Sequence, residues 1–203
     1  MTSEDMITVP VTELRVGFGR RLGAILLDSI IVLLLSGIVY LVAGSAFEPL
    51  AQERLATQVE EYNITLPDSE DTDTIASFTQ VSTTFGIIAS IVGLVYWLME
   101  ISLAATPGKM MLGIKIANAD ATAAPTSVLA TRWFIKSGLS SLLSIGATFI
   151  ALSVLSTLST VVGFVVFIGC FFALSQNRQA LHDIIAKTAV YRREHIRTAE
   201  PVP

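Results

Sequence analysis

Apolar positions in this chain come in long blocks, not in the short alternating or amphipathic patterns of a soluble core. The first block reads Leu22 to Val42, about the 20 residues needed to cross a bilayer. A second runs from about Thr84 to Leu103, with Tyr96 and Trp97 as interface anchors toward one end and Glu100 close to the boundary. From Ser137 to Asn177 no charged residue occurs across 41 positions. A single helix of that length would extend roughly 60 Å, twice a hydrocarbon core of about 30 Å, so the block must fold back. The best break is Ser156-Thr157-Leu158-Ser159-Thr160. A break at Gly146 would leave a first half too short to span, and a re-entrant pair is the alternative. The blocks therefore predict four spans, at about 22–42, 84–103, 137–155 and 161–177.

Polar segments connect these blocks. Residues 1–19 form a mixed tail, and 193–203 a second tail. Residues 44–76 carry eight acidic side chains and a single base, Arg54. Within them, 49–62 have helix-forming composition and Pro67-Asp68-Ser69 interrupts it. Between the second and third spans, Leu112, Ile114 and Ile116 alternate with Met111, Gly113 and Lys115, and Asn118-Ala119-Asp120 follows with turn chemistry. That pattern predicts a small β-hairpin at the membrane surface. The expected fold is an all-α membrane protein, a four-transmembrane-helix bundle with a cytoplasmic-face β-hairpin between helices 2 and 3.

Charge placement fixes the orientation of that bundle. With four spans, the amino tail, the 105–136 connection and the carboxyl tail share one side. That side holds twelve of the thirteen basic residues, all but Arg54. The positive-inside rule makes it cytoplasmic and the acidic loop extracytoplasmic. A three-span count would put the carboxyl-terminal arginines outside. Both termini are thus expected in the cytoplasm, with the lipid bilayer as the first partner.

Composition agrees with the block pattern. Hydrophobic residues make up 52% and charged residues 15%, against about 25% charged in a soluble domain. Mean hydropathy is +0.67. The net charge of -4 hides a segregated distribution. Cys170 is the only cysteine, and His182 and His195 are isolated, so no metal or disulfide framework is expected. Arg20-Arg21 and Gly44-Ser45-Ala46 could pass for parts of a signal peptide. The apolar run is longer than a usual signal core, contains Asp28 and follows a polar lead, so a retained helix is expected. Thr106-Pro107-Gly108-Lys109 lacks the upstream glycine of a phosphate-binding loop, and Met110 stands where a magnesium-binding hydroxyl belongs. No nucleotide, cofactor or nucleic-acid partner follows from the sequence. No nucleophile–base pair is visible, so no enzyme is expected. Asn63-Ile64-Thr65 matches a glycosylation sequon in the outer loop.

The chemistry concentrates in a few polar residues in or near the spans. Asp28 is the only charge in the first block. A carboxylate at the bilayer centre costs about 2.5–3.5 kcal/mol on insertion scales, so it needs a partner or a use. Arg21 lies on nearly the same helix face, roughly 10 Å away along the axis, and is its expected partner. Glu100 to Lys109 and Arg178 to Asp183 gather at the same face, and Arg132 joins Lys136 four residues on. Arg21, Asp28, Glu100, Lys109, Arg132 and Asp183 form the candidate polar cluster. Converging carboxylates and bases suit a proton or ion path. They equally suit a structural clamp that fixes helix packing.

Three motifs together resemble the RDD family of bacterial membrane proteins. They are Arg20-Arg21-Leu22-Gly23-Ala24 followed by Asp28, the stretch from Thr106 to Ile116 continuing to Ala119-Asp120, and Arg178 to Thr188. They run from about residue 15 to residue 192. The positions that give the family its name look like Arg21, Asp28 and Asp183. The chain departs from the usual pattern at Ala105, at Asp120-Ala121-Thr122 and at Lys187, where glycine is common. The resemblance implies a bacterial inner-membrane protein and, as a standing proposal for the family, transport, including sodium- or potassium-for-proton antiport. Cations or protons would then be the cargo. Four helices make a small bundle, so a pathway would need a homo-oligomer. A non-transporting scaffold or accessory subunit, with the arginine and aspartates as a clamp, is the reading of a different class.

Overall fold

The computed structural model describes residues 10–61, 70–150 and 153–197. The sequon and the Pro67-Asp68-Ser69 interruption lie outside the described residues. Helix α1 runs Phe18–Glu61 and α2 runs Glu70–Leu103. A short α3, Pro107–Met111, leads into β1, Ile114–Asn118. Helix α4, Thr126–Trp133, passes through a π-helical turn, Phe134–Gly138, into α5, Leu139–Ile150. Helix α6, Ser153–Cys170, ends in a 3-10 turn, Phe171–Leu174. Helix α7, Leu181–Ile185, and strand β2, Thr188–Arg192, follow, and a 3-10 turn, Arg193–His195, comes next.

Three helical stretches among the described residues are long and apolar enough to cross a membrane: Phe18–Glu60, Asp73–Leu103 and Val154–Leu174. Only 11%, 28% and 11% of their most apolar windows is buried within the chain, so most of that apolar surface faces outward. The expected third span, 137–155, is not among them. Its apolar helical part, α5, has twelve residues, and the turn before it carries Lys136. The expected break at Ser156–Thr160 is also corrected, since α6 runs straight through it. Thr160 is held by the helix itself, its Oγ1 donating to the Ser156 carbonyl at 3.0 Å. Hydroxyls that bond back to the preceding turn remain compatible with a helix, which is why a polar run does not end one.

The acidic connection shrinks in the same way. α1 continues past Pro49 to Glu61, and α2 begins at Glu70, so most of 44–76 is helical. Asp73 sits in the first turn of α2, where a carboxylate favours the helix dipole.

The described chain divides into two compact units. One takes the residues up to Asp28, Leu98–Lys136 and those from Val165 on; the other takes Ser29–Trp97 and Ser137–Phe164. In the second unit the rings of Tyr40 and Phe85 meet at 6.1 Å, and Ser159 Oγ donates to the Ser140 carbonyl at 2.8 Å. Thr84 and Ser36 are buried there with their hydroxyls returned to their own helices.

The first unit holds the sheet, and here the hairpin expectation fails. β1 pairs antiparallel with β2, in register from Ile114 opposite Arg192 to Asn118 opposite Thr188. The turn at Asn118 does form: Thr122 N–H and Oγ1 donate to Asp120 Oδ1, and Ala121 takes a φ of 68°. Beyond it, Ala123-Ala124-Pro125 has no apolar alternation, and proline lacks a ladder donor. Thr188-Ala189-Val190-Tyr191-Arg192 has the β-branched and aromatic side chains that a half-buried strand favours, and it takes the partner position. Alternation then builds two cores. Ile114, Ile116 and Val190 pack with Val16, Ala24, Ala104 and Leu129, while Ala117, Ala189 and Tyr191 pack with Ala121 on the other face.

Two residues without a glycine's freedom fall on left-handed backbone, Ala121 at φ 68° and Lys187 at φ 55°. Lys187 is exposed, and its carbonyl accepts from the Ala119 N–H at 3.0 Å. A Cβ there costs conformational energy that glycine does not. Lys187→Gly is therefore expected to stabilise the protein by about 0.5–1 kcal/mol, read as a higher thermal midpoint in detergent. An unchanged or lower midpoint would show that the strain is already relieved.

Candidate functional site

Asp28 is fully buried, and the segment that holds it is the Thr-Pro-Gly-Lys turn. Thr106 Oγ1 donates to Asp28 Oδ2 at 2.6 Å, and the Gly108 N–H donates to Oδ1 at 2.7 Å. Pro107 opens α3, where its missing N–H costs nothing, and leaves the next N–H free to reach the carboxylate. Gly108 is required by closeness. A Cβ there would lie 2.6 Å from both the Ala24 carbonyl oxygen and Asp28 Oδ1. The Thr106–Lys109 turn is thus the seat of the Asp28 carboxylate.

The expected Arg21–Asp28 pairing is corrected. Arg21 forms its ion pair with Asp183. Its Nε donates to the Val16 carbonyl at 3.1 Å and its Nη2 to the Arg178 carbonyl at 2.7 Å. The seven-residue spacing places Arg21 and Asp28 on similar faces of α1, but it cannot reveal that α3 and α7 bring stronger partners to each.

Arg132 is the centre of the remaining cluster, with 2% of its side chain exposed. Its Nε donates to Asp183 Oδ1 at 2.8 Å, its Nη1 pairs with Glu100 Oε1, and its Nη2 lies 3.2 Å from His182 Nε2. Glu100, fully buried near the end of α2, receives two lysines on its other oxygen. Lys109 Nζ is 2.9 Å from Oε2, and Lys136 Nζ binds the same atom. Asp183 further accepts the Ala180 N–H at 3.2 Å. The π-helical turn that follows α4 carries Lys136, and such turns recur where a side chain is re-aimed.

The electrostatics follow from this packing. Burial raises the Asp183 carboxyl, but Arg132 and Arg21 outweigh it and hold the group well below the usual carboxylate range. Burial, reinforced by the Arg132 charge, lowers His182 to about 2, so the ring is neutral at physiological pH. A neutral ring facing an arginine donor accepts through Nε2 and carries its proton on Nδ1, which has no partner among the described residues. Burial lowers the Lys109 ammonium to about 8, with Asp28 and Asp183 pulling the other way.

All six residues expected from sequence therefore lie in the first unit. Asp28 joins the 106–108 turn, and Glu100, Lys109, Arg132, Asp183 and Arg21 form one ion-paired chain. Sequence reading underweighted Lys136, His182, Thr106 and Gly108. The four-residue step from Arg132 flagged Lys136. The last two stand in a motif whose residues carry the family resemblance but whose contact with Asp28 no spacing shows.

The ion-paired chain holds four cations, Arg21, Lys109, Arg132 and Lys136, against two carboxylates, Glu100 and Asp183, with Asp28 seated apart on the 106–108 turn. Removing Arg132 would strand Glu100 and Asp183 without their shared partner. Arg132→Ala is expected to destabilise the protein by about 3–5 kcal/mol, the scale for breaking a buried ion pair. Gly108→Ala is expected to cost about 1–3 kcal/mol through overpacking, with no charge removed. Thermal midpoints of the detergent-purified variants check both. A Gly108→Ala protein as stable as wild type would show that the turn yields easily.

Comparison with known proteins adds one match. Residues 15–187 match the RDD family. No curated protein and no solved structure matches the chain. The family covers nearly all of the described chain, including both the Asp28 seat and the Arg132 cluster, and the chain belongs to the RDD family.

Proposed function

We propose that this protein moves ions or small solutes across the bacterial inner membrane, in its finer form by exchanging a cation for a proton. The observation that carries the reading is three cations on one buried carboxylate: Arg132 on one oxygen of Glu100, Lys109 and Lys136 on the other. An uncompensated buried charge is costly, so the group that can shed its proton does so most readily. Lys109, lowered to about 8 by burial, is one such group. When it loses its proton, Glu100 Oε2 keeps Lys136 but has one cation fewer and can receive a metal cation, with Asp28 as a second carboxylate acting on the same lysine. Proton and cation then compete for one place, which is what exchange requires.

The reading includes four spans with both termini cytoplasmic, and α5 with its preceding turn as the third. It includes a homo-oligomer, since a small bundle leaves little room for a pathway, with Ser140, Ser141, Ser144, Gly146 and Ala147 allowing close helix approach. Neither an enzymatic activity nor a nucleic-acid partner belongs to it.

The scaffold reading is favoured by a different observation. The guanidiniums of Arg21 and Arg132 are engaged at every nitrogen described, and they tie α1, α2, α4 and α7 together. Reconstitution of the full chain in liposomes, with sodium or potassium gradients and an internal pH dye, separates the two. Transport predicts flux that rises with pH around 8, loss of that midpoint in Lys109→Gln, and no flux in Asp28→Asn. Asparagine keeps an acceptor for the Gly108 N–H, and Thr106 can turn its hydroxyl to accept, so the Asp28→Asn protein is expected at normal abundance. Absence of flux from stably folded wild type, together with a fall in Asp28→Asn abundance, would favour the scaffold.

A further inference from the structure

Apart from the buried charge cluster, basic side chains gather around one open pocket. Its volume is about 360 Å³, and Arg15, Arg20, Arg178, Arg192 and His195 line it, with Glu13 as the one carboxylate. These residues come from the segment before α1, the first turn of α1, the 175–178 turn and the end of β2. The folding of β2 against β1, not chain proximity, brings them together.

Two of the arginines are already committed. Arg15 donates to the carbonyls of Asn177 and Ala119 and to Gln179 Oε1, all within 3.0 Å. Arg178 Nη1 donates to the carbonyls of Glu13 and Arg15 at 3.1 and 3.0 Å. They build the wall and supply positive potential. Arg20 is exposed and has no hydrogen bond or ion pair to the described residues, and Arg192 has only a long contact of 3.5 Å to Glu194. His195 Nδ1 is shielded from solvent and without a partner among the described residues, while its Nε2 lies 3.8 Å from Glu194 Oε1. Gly17 and Gly19 also line the pocket, and a Cβ on either would meet nothing within 4 Å, so the backbone there is open to approach.

A pocket with this charge selects an anion, and one with paired guanidiniums selects a phosphate, whose oxygens accept several charge-assisted bonds. The volume exceeds what inorganic phosphate fills and suits a phosphate ester. We propose that this pocket binds a phosphate ester, supplied either by an anionic phospholipid headgroup or by a soluble organophosphate. Arg20 and Arg192 grip the phosphate oxygens, and Arg15 and Arg178 hold the frame.

The test uses the full purified chain in two arms. In one, glycerol 1-phosphate is titrated calorimetrically into protein in phosphatidylcholine nanodiscs. In the other, retention of added phosphatidylglycerol is measured by native mass spectrometry from neutral detergent. Each arm compares wild type with Arg20→Gln/Arg192→Gln and with Lys187→Gln, which removes a surface charge outside the pocket. The expected result is binding by wild type and Lys187→Gln, weakened at least about tenfold in the double variant, since each charge-assisted bond is worth a factor of that order. Binding in the first arm assigns a soluble ester; binding only in the second assigns the lipid headgroup. No binding in either arm, or equal weakening in Lys187→Gln, overturns the proposal. Should the double variant melt below wild type, Arg20→Gln alone serves, because the side chain it changes makes no described contact.

Discussion

A buried guanidinium must be met by acceptors in its own plane, and Arg132 imposes that requirement on the rest of the fold. Its three nitrogens look in three directions, to Asp183, Glu100 and His182. Satisfying them demands that α2 end with Glu100 at one side and that α7 present Asp183 and His182 at the other. Those two carboxylates in turn require cations of their own, which α1 supplies as Arg21 and the 109 and 136 positions supply as lysines. The network is therefore closed by necessity. Each member is tolerated in a dry site only because the next is there.

Asp28 adds a second constraint that is steric as well as electrostatic. Its carboxylate is seated on the backbone of the 106–108 turn, and the turn can come that close only because residue 108 has no side chain. That approach fixes where α3 lies against α1 and hence where the following strand begins. Gly113, at φ 65°, then reverses the chain into β1. Ile116 N–H reaches the Ala104 carbonyl, and Val16 N–H reaches the Val190 carbonyl, so the sheet is stitched to the segments that flank α1 and α2. The motif between the second and third apolar blocks is thus one device. Its first half receives a carboxylate and its second half offers a strand.

How much of this was legible from the chain depends on whether the cause was local. Helices α1 and α2 and the charge segregation were readable, because a run of apolar side chains and a bias of arginines act within one segment. All six cluster residues were readable as charges that needed an explanation near a membrane. Their partners were not. Arg21 and Asp28 share a helix face, and helical periodicity offers them to each other, yet the partners that win are Asp183 and the Gly108 N–H, at sequence separations of 162 and 80. The strand was found and its mate was not, for the same reason. The alternation of Ile114 and Ile116 is local, whereas pairing with Val190 is decided by which distant segment has the better side chains for a ladder. The break in the long apolar block was misplaced because Thr160 bonds back to its own helix and Ser159 finds the Ser140 carbonyl, so the polar run does not end α6.

The network also divides by chemistry, and the division bears on what it can do. On the Asp183 side both cations are arginines, which stay charged at any physiological pH, and the neighbouring histidine is held neutral. On the Glu100 side the two further cations are lysines, whose charge burial can remove. Arg132 belongs to both sides. A clamp built only to hold helices would gain from arginines throughout, since a planar fork loses less freedom per bond than a flexible ammonium. Placing lysines where three cations crowd one carboxylate leaves the Glu100 side able to change its charge while the Asp183 side cannot. Such an arrangement keeps the charge of the network fixed at the Asp183 end and adjustable at the Glu100 end.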